Sequence, residues 1–294
     1  MTKKLLYQFD TDPLPSVFDN VVAYDGGADQ VTSYGGITPQ NVGGLVEGAI
    51  FTRGPKHKKL TALFIGGSDL VKGEALLAAV CARFFGDFRV SVMLDSNGAN
   101  TTAAAAVACA ARVCSGRSLA GKRAVVLAGT GPVGQRAAEM LSREGAQVVI
   151  TGRQLDRAVA VAQAIAARSG HAIEGMAAVD NVQRQRAIDG AHIVIATGSA
   201  GTSLLTEAAW SGQAQLEVVC DANPTPPLGI EGIDMMDRAQ TRHGKASFGA
   251  IGFGALKLSL HRACIARLFE QPDLVLDAPQ ILTIAKDMIA EVLP

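Results

Sequence analysis

The residues with the clearest chemical implication form a glycine-rich turn in the middle of the chain. Its six residues follow the pattern GxGxxG: Gly129, Thr130, Gly131, Pro132, Val133 and Gly134. An apolar run at 124–128 precedes the turn, an amphipathic helical pattern follows at 135–144, and a second apolar run lies at 148–150. Strand, glycine turn, helix and strand within about 30 residues is the arrangement that binds the pyrophosphate of a dinucleotide. We therefore predict that these six residues bind a dinucleotide, whose phosphate oxygens accept hydrogen bonds from the helix N-terminus.

The residues after the second predicted strand indicate which dinucleotide is bound. An NAD site usually has Asp or Glu there, which binds the ribose 2′-hydroxyl. This chain has Thr151-Gly152-Arg153-Gln154, and the first carboxylate is Asp156. A hydroxyl and a guanidinium suit a 2′-phosphate, because Arg binds phosphate through two parallel charge-assisted hydrogen bonds. We predict NADP, with Thr151 and Arg153 in its site; the alternative is that Arg153 is a surface residue that opens the next helix.

Two further strand ends extend the predicted cofactor site. A fourth apolar run at 193–196 ends at Thr197, and a fifth at 216–220 is followed by Asn223. Ligands of doubly wound sheets bind at the carboxyl ends of the strands. We therefore add Thr197 and Asn223 to the cofactor-binding residues. The whole pattern predicts an α/β fold whose residues 113–255 form a Rossmann-type doubly wound parallel sheet domain.

The segments on either side predict a second α/β domain. Strands are expected at 5–9, 21–24, 60–65 and 88–94, alternating with helices at 38–51, 68–85 and 101–113. The tail has a glycine-rich crossing at 248–255 and two apolar helices at 256–269 and 280–292, without strands of their own. These helices must cover another element. We predict that residues 1–112 and 256–294 form a substrate domain, and that the NADP domain is inserted after a linker at 115–122.

Composition limits the classes of partner. Lys and Arg total 27 and Asp and Glu total 27, so the formal net charge is zero, which argues against nucleic acid or an anionic membrane as partner. No apolar run reaches the roughly 18 residues of a membrane span, and the N-terminal run is too short for a signal peptide. The five cysteines have no metal-ligand spacing. We expect reduced core cysteines in a cytoplasmic protein and no metal site.

Segments outside the glycine turn are more specific. The chain resembles the bacterial NADP-dependent methylene-tetrahydromethanopterin / methylene-tetrahydrofolate dehydrogenases of methylotrophs, nearly from end to end. The segments that carry the resemblance are QFDTD (8–12), PSVFD (15–19), YDGGAD (24–29), MLDSNG (93–98), NTTAAA (100–105), VLAGTGPVG (126–134), PPLGI (226–230), LKL (256–258) and LHRACIA (260–266). Gly152-Arg153 is typical of the NADP-only branch, whereas Gln154 stands where we expect a basic residue.

The resemblance implies a defined reaction. A hydride leaves the one-carbon bridge between two nitrogens of a reduced pterin and passes to NADP, which gives the cationic methenyl form. The nitrogen lone pairs drive the hydride out, so neither a covalent nucleophile nor a metal is required. The protein must stack the bridge carbon on the nicotinamide and exclude water. The resemblance also implies a homo-oligomer, a trimer or hexamer.

The resemblance also selects the substrate residues. Lys257 would be the catalytic residue that holds or polarises the pterin near its reacting nitrogens; the alternative is a surface lysine. Carboxylates, amides and hydroxyls match the donor and acceptor edge of a pterin, and a carboxylate would stabilise the methenyl cation. The substrate-binding candidates are Asp19, Asp95, Asn97, Asn100, Thr101 and Thr102. The alternative for them is helix capping and turn formation, above all for Asn100 and Thr101. We expect Lys257 and Asp95 to meet the glycine turn across a cleft between the domains.

Two other classes of function remain open. A non-catalytic, NADP-binding regulatory protein would share every nucleotide feature. An NADP dehydrogenase of another small substrate is the second alternative, either of the shikimate type or of the short-chain type. The short-chain type requires Tyr-x-x-x-Lys, and none of Tyr7, Tyr24 and Tyr34 has Lys four residues later. The sequence leaves open whether methanopterin or folate is the better substrate.

Overall fold

The computed structural model of the chain describes residues 2–292. Met1 and residues 293–294, at the ends of the predicted substrate domain, lie outside the described residues. In chain order the elements are β1 (Leu5–Asp10), α1 (Val17–Asp25), β2 (Gln30–Tyr34), α2 (Gly43–Phe51), α3 (Pro55–Lys58), β3 (Thr61–Gly66), α4 (Leu70–Cys81), β4 (Ser91–Leu94), α5 (Ala99–Val113), β5 (Arg123–Leu127), α6 (Pro132–Arg143), β6 (Gln147–Gly152), α7 (Leu155–Ser169), β7 (Ile173–Ala177), α8 (Asn181–Ala187), β8 (Ile193–Ala196), α9 (Glu207–Ser211), β9 (Val218–Asp221), β10 (Arg238–Arg242), β11 (Lys245–Phe248), α10 (Ala250–Arg267), β12 (Val275–Leu276) and α11 (Ala278–Val292).

The chain folds into two compact units. The first contains the residues up to Thr101 and Leu258–Ile284, and the second contains Thr102–Lys257 and the residues from Ala285 on. The sequence placed these borders at 112 and 255 and assigned the whole tail to the first domain. The borders of the units fall inside α5, α10 and α11. The segment expected to be a linker is tied into the second unit, because the Ser115 N–H and the Lys122 ammonium both bind the carboxylate of Glu217.

The first unit is built on a five-stranded sheet with the order β12-β4-β3-β1-β2, in which every pairing is parallel. Alternate residues of β3 cover its two faces. Leu63 and Ile65 pack against apolar residues of α2 and α4, whereas the ring of Phe64 stacks on His261 of α10, with centroids 5.4 Å apart. The carboxyl ends of β1, β3 and β4 therefore lie side by side at one edge, between two layers of helices.

The second unit is built on a seven-stranded sheet with the order β10-β11-β9-β8-β5-β6-β7. All pairings are parallel except the hairpin of β10 and β11. The order reverses between β5 and β8, which is the switch point at which nucleotide-binding sheets hold their ligand. The predicted fold class is confirmed: a Rossmann-type sheet and a second α/β sheet.

Two of the predicted elements are wrong. Residues 21–24 belong to helix α1 and not to a strand, because the Ser16 hydroxyl caps the helix by accepting the N–H of Asp19 at 3.2 Å. The paired strand is β2 instead. The tail also contains a strand, β12, whose Val275 and Leu276 pair with β4.

The expected glycine-rich crossing at 248–255 is largely helical. Helix α10 begins at Ala250, where the Met235 carbonyl accepts the N–H groups of both Ile251 and Gly252. A Cβ on Gly252 would lie 1.8 Å from the carbonyl oxygen of Asp237, so only glycine permits this approach. Lys257 consequently lies inside a long helix, not at its start. Within residues 2–292, the helices are all too short or too polar to cross a bilayer.

Candidate active site

The glycine turn of the second unit is held in place by threonines. Ala128 adopts a left-handed conformation with φ of 54°, and its N–H donates to Thr151 Oγ1 at 3.1 Å. The N–H of Gly129 donates to the Thr151 carbonyl at 2.8 Å. The Thr197 hydroxyl donates to the Leu127 carbonyl at 3.0 Å. Thr151 and Thr197 therefore fix the backbone of the turn, in addition to lining the space where a ligand would bind.

The glycines of the turn have different tasks. A Cβ on Gly134 would lie 2.5 Å from the Cα of Gly129, so helix α6 packs directly on the turn. A Cβ on Gly131 would meet no atom within 4 Å, so this side of the turn is open. Helix α6 begins at Pro132 without a side-chain cap, which leaves its first N–H groups for an anion. The turn therefore has the open side and the donors that a pyrophosphate requires.

A cleft opens beside this turn at the carboxyl ends of β5, β6 and β8. Its lining includes Thr130, Gly131, Thr151, Arg153, Arg157, Arg184, Thr197, Ser199 and Thr202. Arg153 and Arg157 are exposed, and they flank an adjoining depression with Thr130 and Gln154. Arg184 is already bound to the carbonyls of Val179 and Leu204, at 3.1 and 3.2 Å. The cleft thus presents two exposed guanidiniums at the position expected for a 2′-phosphate.

Sequence reasoning selected Arg153 and missed Arg157. Arg157 lies in the first turn of α7, four residues after Arg153. Arg157 could have been identified from its spacing, because it lies four residues after a predicted phosphate ligand and at the start of a helix. Ser199 and Thr202, in the loop after β8, were also missed.

Asn223 lies in a closed loop after β9. Its Nδ2 donates to the Pro227 carbonyl at 3.0 Å, and its Oδ1 accepts the N–H of Thr225 at 2.9 Å. Its neighbour Asp221 accepts the N–H groups of Asn223 and Ile230, and burial raises the pKa of that carboxyl. Asn223 is buried and does not line the cleft described above, so its polar atoms hold the loop.

Carboxylates collect at the corresponding edge of the first unit. Asp10 ends β1, and its oxygens accept the N–H groups of Asp12 and Ser16 at 2.9 and 3.1 Å. A Cβ on Gly66, at the end of β3, would lie 3.1 Å from Asp10 Oδ2 and 3.6 Å from Asp19 Oδ2. Asp10 and Asp19 therefore converge at the end of β3. Sequence reasoning selected Asp19 but missed Asp10, although its place at a strand end was visible.

The buried substrate candidates are bound to the protein itself. Asp95 accepts the Thr101 N–H at 3.0 Å and the Thr101 hydroxyl at 2.6 Å. Asn100 donates to the Leu94 carbonyl at 2.6 Å and to Asp277 Oδ1 at 3.0 Å. All three candidates are fully buried. These contacts fix the start of α5 against β4.

The other candidates are more accessible. Asn97 is exposed and left-handed, with φ of 57°, and its N–H donates to the Gly67 carbonyl at 2.7 Å. Asn97 is therefore solvent-accessible at the carboxyl edge of the first sheet. Thr102 and Lys257 are half-buried residues of α5 and α10, grouped with the second unit. In the part of the chain that the structure describes, no group of three His, Cys, Asp or Glu side chains could hold a metal ion.

Two family models match separate parts of the chain. Residues 17–97 match the model described as methylene-tetrahydromethanopterin dehydrogenase, N-terminal. Residues 110–221 match the model described as shikimate / quinate 5-dehydrogenase. The first match falls in the first unit and the second in the second unit.

Relatives match over nearly the full length. The bifunctional protein MdtA of Methylorubrum extorquens is 54% identical over 288 residues, covering 98% of this chain and 100% of the relative. The NAD(P)-dependent methylenetetrahydromethanopterin dehydrogenase of the same organism is 30% identical over 284 residues, covering 94% of this chain and 96% of the relative. Among solved structures, ligand-free 5-ketofructose reductase of Gluconobacter sp. strain CHM43 superimposes with a TM-score of 0.52 at 16% identity. The superposition covers 98% of this chain and 99% of the reductase chain. That last similarity shows a shared fold alone.

Proposed function

Because this chain belongs to the methylene-tetrahydromethanopterin dehydrogenase family, we propose that it is an NADP-dependent dehydrogenase of a methylene-bridged reduced pterin. It transfers a hydride reversibly from methylene-tetrahydromethanopterin, and from methylene-tetrahydrofolate, to NADP in one-carbon metabolism. The observation that carries the proposal is the 54% identity with MdtA over the full length of both chains. The open glycine turn and the paired arginines beside it support the cofactor assignment.

The residues of the cleft fit NADP. The N–H groups at the start of α6 bind the pyrophosphate, and Arg153 and Arg157 bind the 2′-phosphate. Two guanidiniums at one phosphate also compensate for Gln154, which supplies no charge. When bound, the cofactor supplies a hydride acceptor at its nicotinamide ring. Thr151 and Thr197 act through the glycine turn, whose backbone they hold.

The carboxyl edge of the first unit supplies the pterin-binding groups. The exposed Asn97 amide presents a donor and an acceptor to the pterin edge, and Asp19 lies beside Asp10 at the end of β3. Two carboxylates at one strand end stabilise the positive charge that develops as the hydride leaves. Asp95, Asn100 and Thr101 shape the floor of this site through their buried hydrogen bonds. Thr102 is the remaining substrate candidate.

Lys257 completes the proposed catalytic set. Its ammonium holds the pterin near its reacting nitrogens, so that the bridge carbon is presented in one orientation. Because the substrate's own nitrogens supply the driving electrons, orientation and exclusion of water are the protein's main contributions.

A spectrophotometric assay of the purified protein tests the proposal. Methylene-tetrahydromethanopterin or methylene-tetrahydrofolate is mixed with NADP or NAD, and formation of the methenyl product and the reduced cofactor is followed. We expect turnover with NADP and little with NAD. NADP binding without turnover of either pterin would favour the non-catalytic regulatory protein. Reduction of NADP with shikimate or another hydroxy acid, but not with a pterin, would favour a dehydrogenase of another small substrate.

We also propose that the protein works in the cytoplasm as a homo-oligomer, a trimer or hexamer. The five cysteines are free thiols, as expected in a reducing compartment. The first unit exposes several large apolar side chains, as expected of a surface that a second copy covers.

A further inference from the structure

One side of the nucleotide cleft is formed by the segment between β8 and α9. We call residues 198–205 of this segment the cleft wall. A Cβ on Gly198 would lie 2.9 Å from Leu204 Cδ1, so the wall folds closely on itself. The residues of the wall that line the cleft are Gly198, Ser199, Thr202 and Leu204. Ser199 and Thr202 are exposed, so the position of the wall depends on what its backbone binds.

The backbone of the cleft wall is bound to the loop that follows β9, residues 222–230. The Gly229 carbonyl accepts the N–H groups of Leu204 and Leu205 at 2.8 and 3.0 Å. The N–H of Gly201 donates to the Thr225 carbonyl at 3.2 Å. The cleft wall therefore takes its position from the 222–230 loop.

Asp221 in turn holds this loop. It is the last residue of β9, and it is 1% exposed. Its Oδ1 accepts the N–H of Asn223 and its Oδ2 accepts the N–H of Ile230, both at 3.0 Å. Because these donors lie at the two ends of the loop, one carboxylate closes it. Gly229 lies directly against that carboxylate, since a Cβ on Gly229 would be 2.7 Å from Asp221 Oδ1.

The same hydrogen bonds continue to a guanidinium of the cleft. The Leu204 carbonyl accepts a hydrogen bond from Arg184 Nη1 at 3.2 Å, and Arg184 lines the cleft. Both backbone polar groups of Leu204 are therefore used, one by Gly229 and the other by Arg184. A displacement of Gly229 would move the cleft wall and release Arg184.

We propose that Asp221 is a positioning residue of the cofactor site, which raises the affinity for NADP without touching it by holding the cleft wall through Gly229. The inference rests on the proposed binding of NADP and adds a residue that does not line the cleft. Without the carboxylate, the wall is in place in only a fraction of the molecules. The apparent Kd for NADP then rises by the inverse of that fraction.

Substitutions on the two sides of one contact test the proposal. Asp221→Ala removes the carboxylate. Gly229→Ala adds a methyl group that has no room beside the carboxylate, whose atoms are the three nearest to such a Cβ. We expect each variant to raise the Kd and the KM for NADP about 10-fold, as when the wall is in place in about one molecule in ten. At saturating NADP, kcat should stay at the wild-type value. Calorimetric titration with NADP measures Kd without turnover, and steady-state kinetics measure KM and kcat.

The double variant shows whether the two residues act through each other. Once the Asp221 side chain is absent, the added methyl group has room, so Asp221→Ala with Gly229→Ala should bind NADP as weakly as Asp221→Ala alone. Gly212→Ala controls for an added methyl group, because Gly212 is exposed and a Cβ there would meet no atom within 4 Å. Asp237→Asn controls for a buried carboxylate, since Asp237 accepts the Asp234 N–H at 2.9 Å and does not line the cleft. Both controls should keep the wild-type Kd for NADP.

The other outcomes overturn the inference and separate it from the proposed function. Wild-type NADP affinity in folded Asp221→Ala and Gly229→Ala overturns it, while pterin oxidation by the wild type keeps the proposed function. Additive losses in the double variant, or a loss of kcat with an unchanged KM for NADP, also overturn it. A wild type that binds no NADP overturns both. Circular dichroism verifies folding. Asp221→Asn replaces Asp221→Ala if the latter fails to fold, and it should also weaken NADP binding because an amide nitrogen cannot accept an N–H.

Discussion

Thr101 binds both carboxylate oxygens of Asp95, with its N–H 3.0 Å from Oδ1 and its hydroxyl 2.6 Å from Oδ2. Asp95 follows strand β4, and Thr101 lies in the first turn of helix α5. The pair therefore fixes where the helix begins relative to the strand. Asp95 Oδ2 also lies 3.9 Å from His261 Nδ1. Residue types that suit a pterin also serve here to build the edge on which a pterin would rest.

The pair predicts a measurable effect on stability. Thr101→Val keeps the shape of the side chain but leaves Asp95 Oδ2 without its hydroxyl donor in a buried site. We expect the free energy of unfolding to fall by about 2 kcal/mol, as for a buried acceptor that loses its hydrogen-bond donor. Urea unfolding of the wild type, Thr101→Val and Thr101→Ser measures it. Thr101→Ser keeps the hydroxyl, so its free energy of unfolding should fall by less. Equal decreases in both variants would show that the hydrogen bond contributes nothing to stability.

The cysteines predict a pattern of chemical reactivity. Burial raises the pKa of Cys109 and of Cys114 to about 12 and also raises the pKa of Cys220 and Cys264. Only the thiolate reacts with iodoacetamide, and its fraction falls tenfold for each unit by which the pKa is raised. At pH 8 the native protein should be alkylated first at Cys81, which is only partly buried. Unfolding in urea should expose all five, as mass spectrometry would show.

Activity should survive this labelling. No cysteine lines the nucleotide cleft, and hydride transfer needs no thiol. Rates with NADP and the pterin should be unchanged after native alkylation at pH 8. Rapid alkylation of Cys109 or Cys220 in an active, folded sample would show that the interior opens far more readily than its packing indicates.

The second unit could be predicted from sequence because its signals are local. The glycine turn, the buried strands around it and the arginine after β6 all lie within about 30 residues. The α1 region was misassigned although its cap is also local, because a short apolar run does not distinguish a strand from a helix. Val21 and Tyr24 look like strand residues, yet the Ser16 cap and the burial of Val22 and Ala23 make the segment helical.

The site was predictable only as far as residue type determines role. Thr151 was selected as a cofactor residue, but no pattern in the sequence indicates that its hydroxyl accepts the Ala128 N–H. Asn223 was selected from its place after a strand, whereas the structure closes its amide into a loop. Arg157 was not predicted, because exposed arginines are common at the start of helices. Its spacing of four residues from Arg153 becomes informative only once both side chains are seen to flank the same depression.

The paired arginines predict the cofactor preference. Arg153→Ala and Arg157→Ala should each raise the KM for NADP by about 10-fold, the effect of losing one charge-assisted phosphate contact. The KM for NAD should hardly change, because NAD lacks the 2′-phosphate. Steady-state kinetics with both cofactors measure the effect. Arg186→Ala, an exposed arginine of α8 that does not line the cleft, is the control.

The double variant sharpens this prediction. If both guanidiniums bind one phosphate, Arg153→Ala with Arg157→Ala should reduce the preference for NADP over NAD more than either change alone. A loss confined to Arg153 would make Arg157 a surface residue. Wild-type NADP kinetics in all three variants would mean that the 2′-phosphate is held elsewhere, and the assignment of NADP would then rest on other residues.

Lys257 predicts a separation of binding from turnover. We expect Lys257→Ala to lose most oxidation of methylene-tetrahydromethanopterin while the equilibrium affinity for NADP stays unchanged, because the cofactor cleft described above does not include Lys257. Calorimetric titration with NADP and steady-state kinetics on one preparation measure both. Lys257→Arg keeps the charge with a different shape, and Lys72→Ala, an exposed lysine of α4, controls for loss of surface charge. Normal turnover in Lys257→Ala would make Lys257 a structural or surface lysine, and the pterin would then be oriented by Asp19 and Asn97 alone.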